Sequence, residues 1–356
     1  MTRKKPILLS LGAKAMILLT GLSVCFADMA TAEEPPAKEL FGGMKLPARA
    51  EPQAYGFYSR GCLAGGVAIP TDGPTWQAMR LSRNRRWGHP QMISLVEQLS
   101  KDAAQYDGWP GLLLGDISQP RGGPMLSGHA SHQVGLDADI WLTPMPSRTL
   151  TASERENLSA TSMLKKNAFL TVDPNIWTPS HARVIMRAAS YPQVERIFVN
   201  PAIKKKLCDT WTGDRSHLGK VRPAYGHDFH FHIRIKCPSG SVGCKSQDPV
   251  AAGDGCDASL AWWFTDEPWA PPKKDPNAKP APKAKPVGLG DLPKACALVL
   301  DTPGPASEEE ATFRPGATGL AALTPPSPAA AGSGTAPGFP PDLAKVPVPR
   351  VRPAAP

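Results

Sequence analysis

"SGHASHQVGLDADIW", Ser127 to Trp141, sets two histidines and two aspartates inside otherwise ordinary soluble sequence. Its spacing is His129-x2-His132-x6-Asp139, with Asp137 two residues before the last acid. "DADIWL" alternates from Asp137 and reads as a strand, which sends Asp137 and Asp139 to one face. A partner lies about 90 residues on, in "GHDFHFHIRI" with His227, His230 and His232. "HFHIRIKC" also alternates, so His230 and His232 point the same way. Five of the eight histidines fall in these two pieces. If the two strands are neighbours, imidazoles and a carboxylate meet at one point. Two imidazoles and one carboxylate suit a catalytic zinc, which keeps one position for water. A spare imidazole nearby can move protons near neutral pH. His89, His181 and His217 stand alone and are left unassigned.

The remaining elements read as mixed. "HPQMISLVEQLSKDAAQY" from His89 carries Met92, Leu95, Val96 and Leu99 at helical spacing. "HARVIMRAAS" and "PAIKKKLCDT" also read as helices, the second opened by Pro201. "GLLLGDIS" and "VERIFVN" read as strands. Strands and helices do not alternate regularly. The expected fold is therefore α+β: a central antiparallel sheet carrying the zinc site, flanked by helices and disulfide-braced loops.

Residues 1–32 look like a signal peptide, with basic Arg3, Lys4 and Lys5, an apolar run, and "ATA" at Ala30–Ala32 as the cleavage site. Val24 before Cys25 disfavours lipid attachment. The predicted location is the periplasm. Removing this segment takes away four bases and one acid, so the net charge falls from +9 to +6. That balance suits an anionic partner such as a cell-wall polymer. Export and the lack of a nucleic-acid motif argue against nucleic acid.

Six cysteines then remain: Cys62, Cys208, Cys237, Cys244, Cys256 and Cys296. An even number in an exported chain implies disulfides. Six cysteines allow 15 pairings, and only the "PSGSVG" loop between Cys237 and Cys244 hints at a local bridge. No CxxC pair supports a thiolate zinc site.

Residues 33–54 read as a Pro/Ala-rich linker and 55–265 as one domain of balanced composition that holds all eight histidines. Residues 266–302 read as a Pro-rich extension held through Cys296, and 303–356 as a disordered Ala/Pro-rich tail. Twenty-one of the 41 prolines fall after residue 265.

The two histidine pieces, with "RNRRWGHP", "GDISQPRGG", "RIFVNPAIKKKLC", "DRSHLGKVRP" and "GDGC", resemble the penicillin-insensitive murein endopeptidases. These belong to the wider group of zinc peptidases that includes lysostaphin-type enzymes and D-Ala-D-Ala peptidases. The resemblance runs from about Tyr55 to Cys296. It implies zinc bound by His132, Asp139 and His232, with His129 as an extra or alternate ligand. It also implies His230 as a non-ligand general base or transition-state stabiliser, and His227 as a further active-site histidine. The implied bridges are Cys62–Cys296, Cys208–Cys256 and Cys237–Cys244. The implied reaction is hydrolysis of D-alanyl–meso-diaminopimelate cross-links in peptidoglycan, without a serine for penicillin to acylate. Some members hold a second zinc at a dimer interface. The matching region here, "SERENLSATSMLKKNAFLTV", has no histidine, so that zinc is not expected and a homodimer stays open. Three other readings compete: a zinc D-Ala-D-Ala carboxypeptidase or dipeptidase, a non-haem iron oxygenase, and a non-catalytic wall-binding protein.

Overall fold

In the computed structural model, the described residues are Thr2, 34–271 and 285–315. The segment read as a signal peptide lies outside them, Thr2 apart. So do part of the Pro-rich extension and most of the predicted tail. Among the described residues no helix is long and apolar enough to cross a membrane.

A seven-stranded sheet organises the fold. Its spatial order is Val221–Pro223, Val194–Val199, His230–Ile235, Asp137–Trp141, Leu112–Leu114, Trp76–Ala78, Asp72–Gly73. The two strands read from the histidine pieces are direct neighbours near its middle. They pair antiparallel, with His230 opposite Trp141, His232 opposite Asp139 and Arg234 opposite Asp137. Opposed residues share a face. One face therefore carries His230, His232, Arg234, Asp137 and Asp139. The other carries Phe231, Ile233, Ala138 and Ile140, all buried in the main apolar core. Ordinary strand alternation thus separates chemistry from packing.

The sheet corrects one expectation. It is mixed, because Val194–Val199 runs parallel to Val221–Pro223, and Trp76–Ala78 runs parallel to Leu112–Leu114. Each parallel pair is joined by a long crossover through a helix, as parallel pairing requires. The strands around the histidines remain antiparallel.

Helices cover the core face. Pro90–Tyr106 buries Met92, Ile93, Leu95, Val96, Leu99 and Ala103. Pro179–Ser190 buries Val184, Ile185 and Ala188 and packs on both that helix and the strand Val194–Val199. Pro201–Thr210 starts at Asn200, whose side chain accepts from the Ala202 amide. Each of the three has Pro at its start, where no amide donor is lost.

Two boundaries shift. The stretch read as a linker forms the helix Ala37–Gly43, with Ala37 and Phe41 one turn apart and fully buried. They pack with Cys62, Cys296 and Val299 under the hairpin Gln53–Phe57/Arg60–Ala64. Proline density concealed this i, i+4 apolar pair. At the other end the packed body continues past 303: Ala311 is buried and the Phe313 amide donates to the Ala68 carbonyl.

Three bridges hold the loops: Cys62–Cys296, Cys208–Cys256 and Cys237–Cys244. The first ties the C-terminal helix Ala295–Asp301 to the hairpin, as the reading of Cys296 expected.

Candidate metal centre

The histidine-bearing loop reaches the sheet through backbone geometry. His132 has φ of 68°, a left-handed conformation uncommon for a residue with a side chain. The cost is met locally. The His132 amide donates to Asp137 Oδ2 at 3.1 Å, and Ser118 Oγ donates to the His132 carbonyl at 2.8 Å. His132 Nδ1 lies 2.7 Å from the Ile117 carbonyl, which can only accept, so Nδ1 carries the proton and Nε2 a lone pair.

Asp137 orders the other side in the same way. Its Oδ1 accepts from His232 Nε2 at 2.7 Å and from Arg234 Nε at 2.7 Å. In the neutral ring His232 Nδ1 is thereby left with a lone pair, 3.3 Å from Asp139 Oδ1. His132 Nε2 lies 3.4 Å from the same oxygen, and His230 Nε2 lies 3.5 Å from it. His132 Nε2 and Asp139 Oδ1 are buried with no hydrogen-bond partner. Lone pairs facing one another in a buried site repel unless a cation lies among them. The donor set, imidazole, imidazole and carboxylate, fits a divalent metal of the zinc type.

His129 closes the group. Its ligating atom, with those of His132 and Asp139, falls in a set mutually within 4.8 Å that can hold a metal ion. Its Nε2 stands 3.6 Å from Asp139 Oδ2 and 2.9 Å from Asp116 Oδ2. One nitrogen is thus shared between the centre and a second carboxylate.

Charge follows this geometry. Burial works against Asp139 ionising, yet the imidazoles of His230, His132 and His129 hold its carboxyl well below the usual range. For Asp137, burial is likewise overcome, by Arg234 and His232. Burial also opposes a charge on His232, but Asp137 and Asp139 raise its pKa. His230 is pushed down by burial, so it is neutral near pH 7, and its Nδ1 is buried without a partner. Burial and its neighbours lower His227 to about 3. His227 Nδ1 donates to the Tyr225 carbonyl at 2.7 Å, leaving Nε2 as an acceptor, and its ring lies 4.9 Å from that of His230.

The structure thus gathers His129, His132, Asp139, His230 and His232, with His227 at the edge. The three lone histidines stay outside. His89 Nδ1 caps the helix Pro90–Tyr106 by accepting from the Gln91 amide. His181 sits in the first turn of its helix, bonded to Thr178 and the Leu142 carbonyl. His217 occupies the position before the short 3-10 turn Leu218–Lys220, with no side-chain capping bond.

Sequence reasoning missed Asp116, buried and bonded to His129, Arg83 and Arg85. Burial works against its charge, but the His129 hydrogen bond and the neighbouring cations hold it to about 2. It arrives because the backbone after Leu112–Leu114 continues alongside Asp139: the Asp139 amide donates to the Asp116 carbonyl and the Gly115 amide to the Asp139 carbonyl. The available signal was an acid two residues after a short, wholly apolar strand, with Gly115 between.

Comparison with known proteins gives the family of the chain. The family described as penicillin-insensitive murein endopeptidase matches residues 54–301. A penicillin-insensitive murein endopeptidase of Haemophilus influenzae is 43% identical over 251 residues, covering 70% of this chain and 82% of its own. One from Klebsiella pneumoniae is 39% identical over 249 residues, covering 70% and 86%. One from Yersinia enterocolitica is 38% identical over 255 residues, covering 72% and 88%. The match begins one residue after the start of the first hairpin strand and ends at the helix carrying Cys296, so it takes in every residue gathered at the centre; the chain belongs to the penicillin-insensitive murein endopeptidase family.

Proposed function

We propose that this chain is a zinc endopeptidase that hydrolyses the D-alanyl–meso-diaminopimelate cross-links of peptidoglycan in the periplasm. The observation that carries the reading is the convergence of His132 Nε2 and His232 Nδ1 on the buried, unpartnered Asp139 Oδ1. These three residues are the proposed zinc ligands, with His129 as an additional ligand. Zinc bound there would bring a water towards neutral pKa and polarise the scissile carbonyl.

The chain's own groups supply the rest. The Ile117 carbonyl and the Asp137 carboxylate set the tautomers of the two ligand imidazoles, so each presents a lone pair. His230, neutral and beside Asp139, accepts the proton released as the carbonyl is attacked and returns it to the leaving amine. His227, its ring 4.9 Å from that of His230, is a further histidine of the proposed active site. All six cysteines of the described body are in bridges, so none is a nucleophile. A β-lactam that acylates serine has no target in this scheme.

The test is digestion of defined cross-linked muropeptides, with mass analysis of the products. We expect cleavage between D-alanine and diaminopimelate, lost with a chelator and restored by zinc. His132→Ala is expected to lose both the bound zinc and the activity. Intact zinc-loaded protein that leaves the cross-link uncut would overturn the reading, and full activity in His132→Ala would overturn the ligand set.

A further inference from the structure

Beside the candidate centre, two guanidinium groups face one carboxylate. Arg83 Nη1 donates to Asp116 Oδ2 at 3.1 Å and Arg85 Nη1 donates to the same oxygen at 2.9 Å. That oxygen also holds His129 Nε2. Against the guanidiniums of Arg80, Arg83 and Arg85 stand two carboxylates, Asp116 and Glu156, so this rim keeps an excess positive charge. Arg83 and Arg85 differ in what else they do. Arg85 is 9% exposed, and its Nη2 donates to the Ser127 carbonyl, pinning the loop that carries His129. Arg83 is 47% exposed, and among the described residues its Nε and Nη2 hydrogen-bond to nothing.

The turn that presents Arg83 is built rigidly. Leu81–Arg83 is one 3-10 turn, flanked by Arg80 at φ 55° and Asn84 at φ 52°, both left-handed without being glycine. Ser82 donates through its amide and hydroxyl to the Glu156 carboxylate at 2.9 and 2.8 Å. Arg80 spends its guanidinium on the carbonyls of Arg155, Glu156 and Leu158. Asn84 Oδ1 accepts from Trp87 Nε1 at 2.7 Å. Two left-handed residues held by this many bonds fix the turn. What the turn holds in place is a half-exposed guanidinium with open donors. It connects to Asp139 through Asp116 and His129.

We infer that Arg83 binds a carboxylate of the substrate on the leaving-group side of the scissile bond. This rests on the endopeptidase reading. In a D-alanyl–meso-diaminopimelate cross-link the scissile nitrogen is attached to a carbon that carries a free carboxylate. That anion lies one carbon from the reacting amide, and a guanidinium's open donors pair with it directly. Arg83 is thus a specificity residue: it favours a cross-link whose acceptor carbon is acidic over one where that acid is masked.

Two synthetic cross-linked muropeptides test this, identical except that this carboxylate is free in one and amidated in the other. We expect the wild-type protein to show kcat/KM higher by about 10-fold or more for the free acid, the scale of a hydrogen bond to a charged group. Arg83→Gln is expected to bring that ratio near one, and Arg83→Lys to keep part of it. Zinc content and thermal midpoint of Arg83→Gln should match the wild type. Equal rates on the two substrates with wild-type protein would overturn the inference and leave the endopeptidase reading standing. So would a ratio unchanged in Arg83→Gln. The wild-type comparison holds even if a variant folds poorly, because it alters the substrate alone. Failure of zinc-loaded wild type to cut either substrate would overturn both readings.

Discussion

At the scale of single residues, Asp137 does more than its burial suggests. One carboxylate takes the His132 amide, the His232 imidazole and the Arg234 guanidinium. It thus ties the proposed loop ligand, His132, to the proposed strand ligand, His232. Asp137→Asn keeps the size but removes the charge. We expect zinc affinity to fall about 10- to 100-fold, the usual loss for a residue that orients a ligand. Stability should fall by about 3–5 kcal/mol, because Arg234 is left buried without its counter-ion. A competition titration with a chromophoric chelator and a denaturant melt would check the two. Unchanged affinity would show that the imidazoles orient themselves.

His89 gives a pH prediction far from the centre. Its Nδ1 must stay unprotonated to accept from Gln91, and burial lowers its pKa to about 4. An unfolded histidine titrates near 6.5. The folded value is the lower one, so protons favour the unfolded chain. The stabilisation is complete above about pH 6.5 and declines until about pH 4, by about 3 kcal/mol. His89→Asn retains a cap acceptor that does not titrate. Denaturant melts at pH 7.5 and 4.5 should therefore show a smaller acid loss in His89→Asn than in the wild type; equal losses would refute the account.

At the scale of elements, the loop from Leu114 to Asp137 is set by close backbone approach. Gly122 has φ of 65°, and a Cβ there would fall 2.1 Å from the Gln133 carbonyl oxygen. Gln133 follows His132 directly, so any shift passes to that proposed ligand. We expect Gly122→Ala to cost about 2 kcal/mol or more and to weaken zinc binding together with stability. A variant with native melting and native zinc affinity would show that the loop relaxes independently of His132. The strand pair itself was readable from alternation, since His230 and His232, like Asp137 and Asp139, stand two apart. The helices at Pro90, Pro179 and Pro201 were readable from apolar spacing and proline. The two-residue strands Asp72–Gly73 and Val67–Ala68 were not, because two residues carry no period.

At the scale of the whole molecule, the bridges differ in reach. Cys62–Cys296 spans 234 residues and Cys237–Cys244 spans seven. If a bridge acts by restricting the unfolded chain, the first is worth about 5 kcal/mol and the second about 2.5. Replacing Cys62 and Cys296 by alanine should therefore lower the melting temperature more than replacing Cys237 and Cys244. The opposite order would show that native-state contacts, not chain entropy, set their worth.

The sequence alone determined what is local or periodic: helix spacing, the two alternating strands, and the imidazole and carboxylate types that a zinc ion takes. It could expose the residues at the centre because alternation places side chains two apart on one face before any partner is known. Tertiary structure decided what depends on which strands meet. Only the pairing of His232 with Asp139 brings the imidazoles to one carboxylate oxygen, and only the return of the chain beside Asp139 delivers Asp116. The burial of Ala37 and Phe41 in a proline-rich stretch is of the same kind. Burial and proximity belong to the packed chain, and no window of sequence contains both partners.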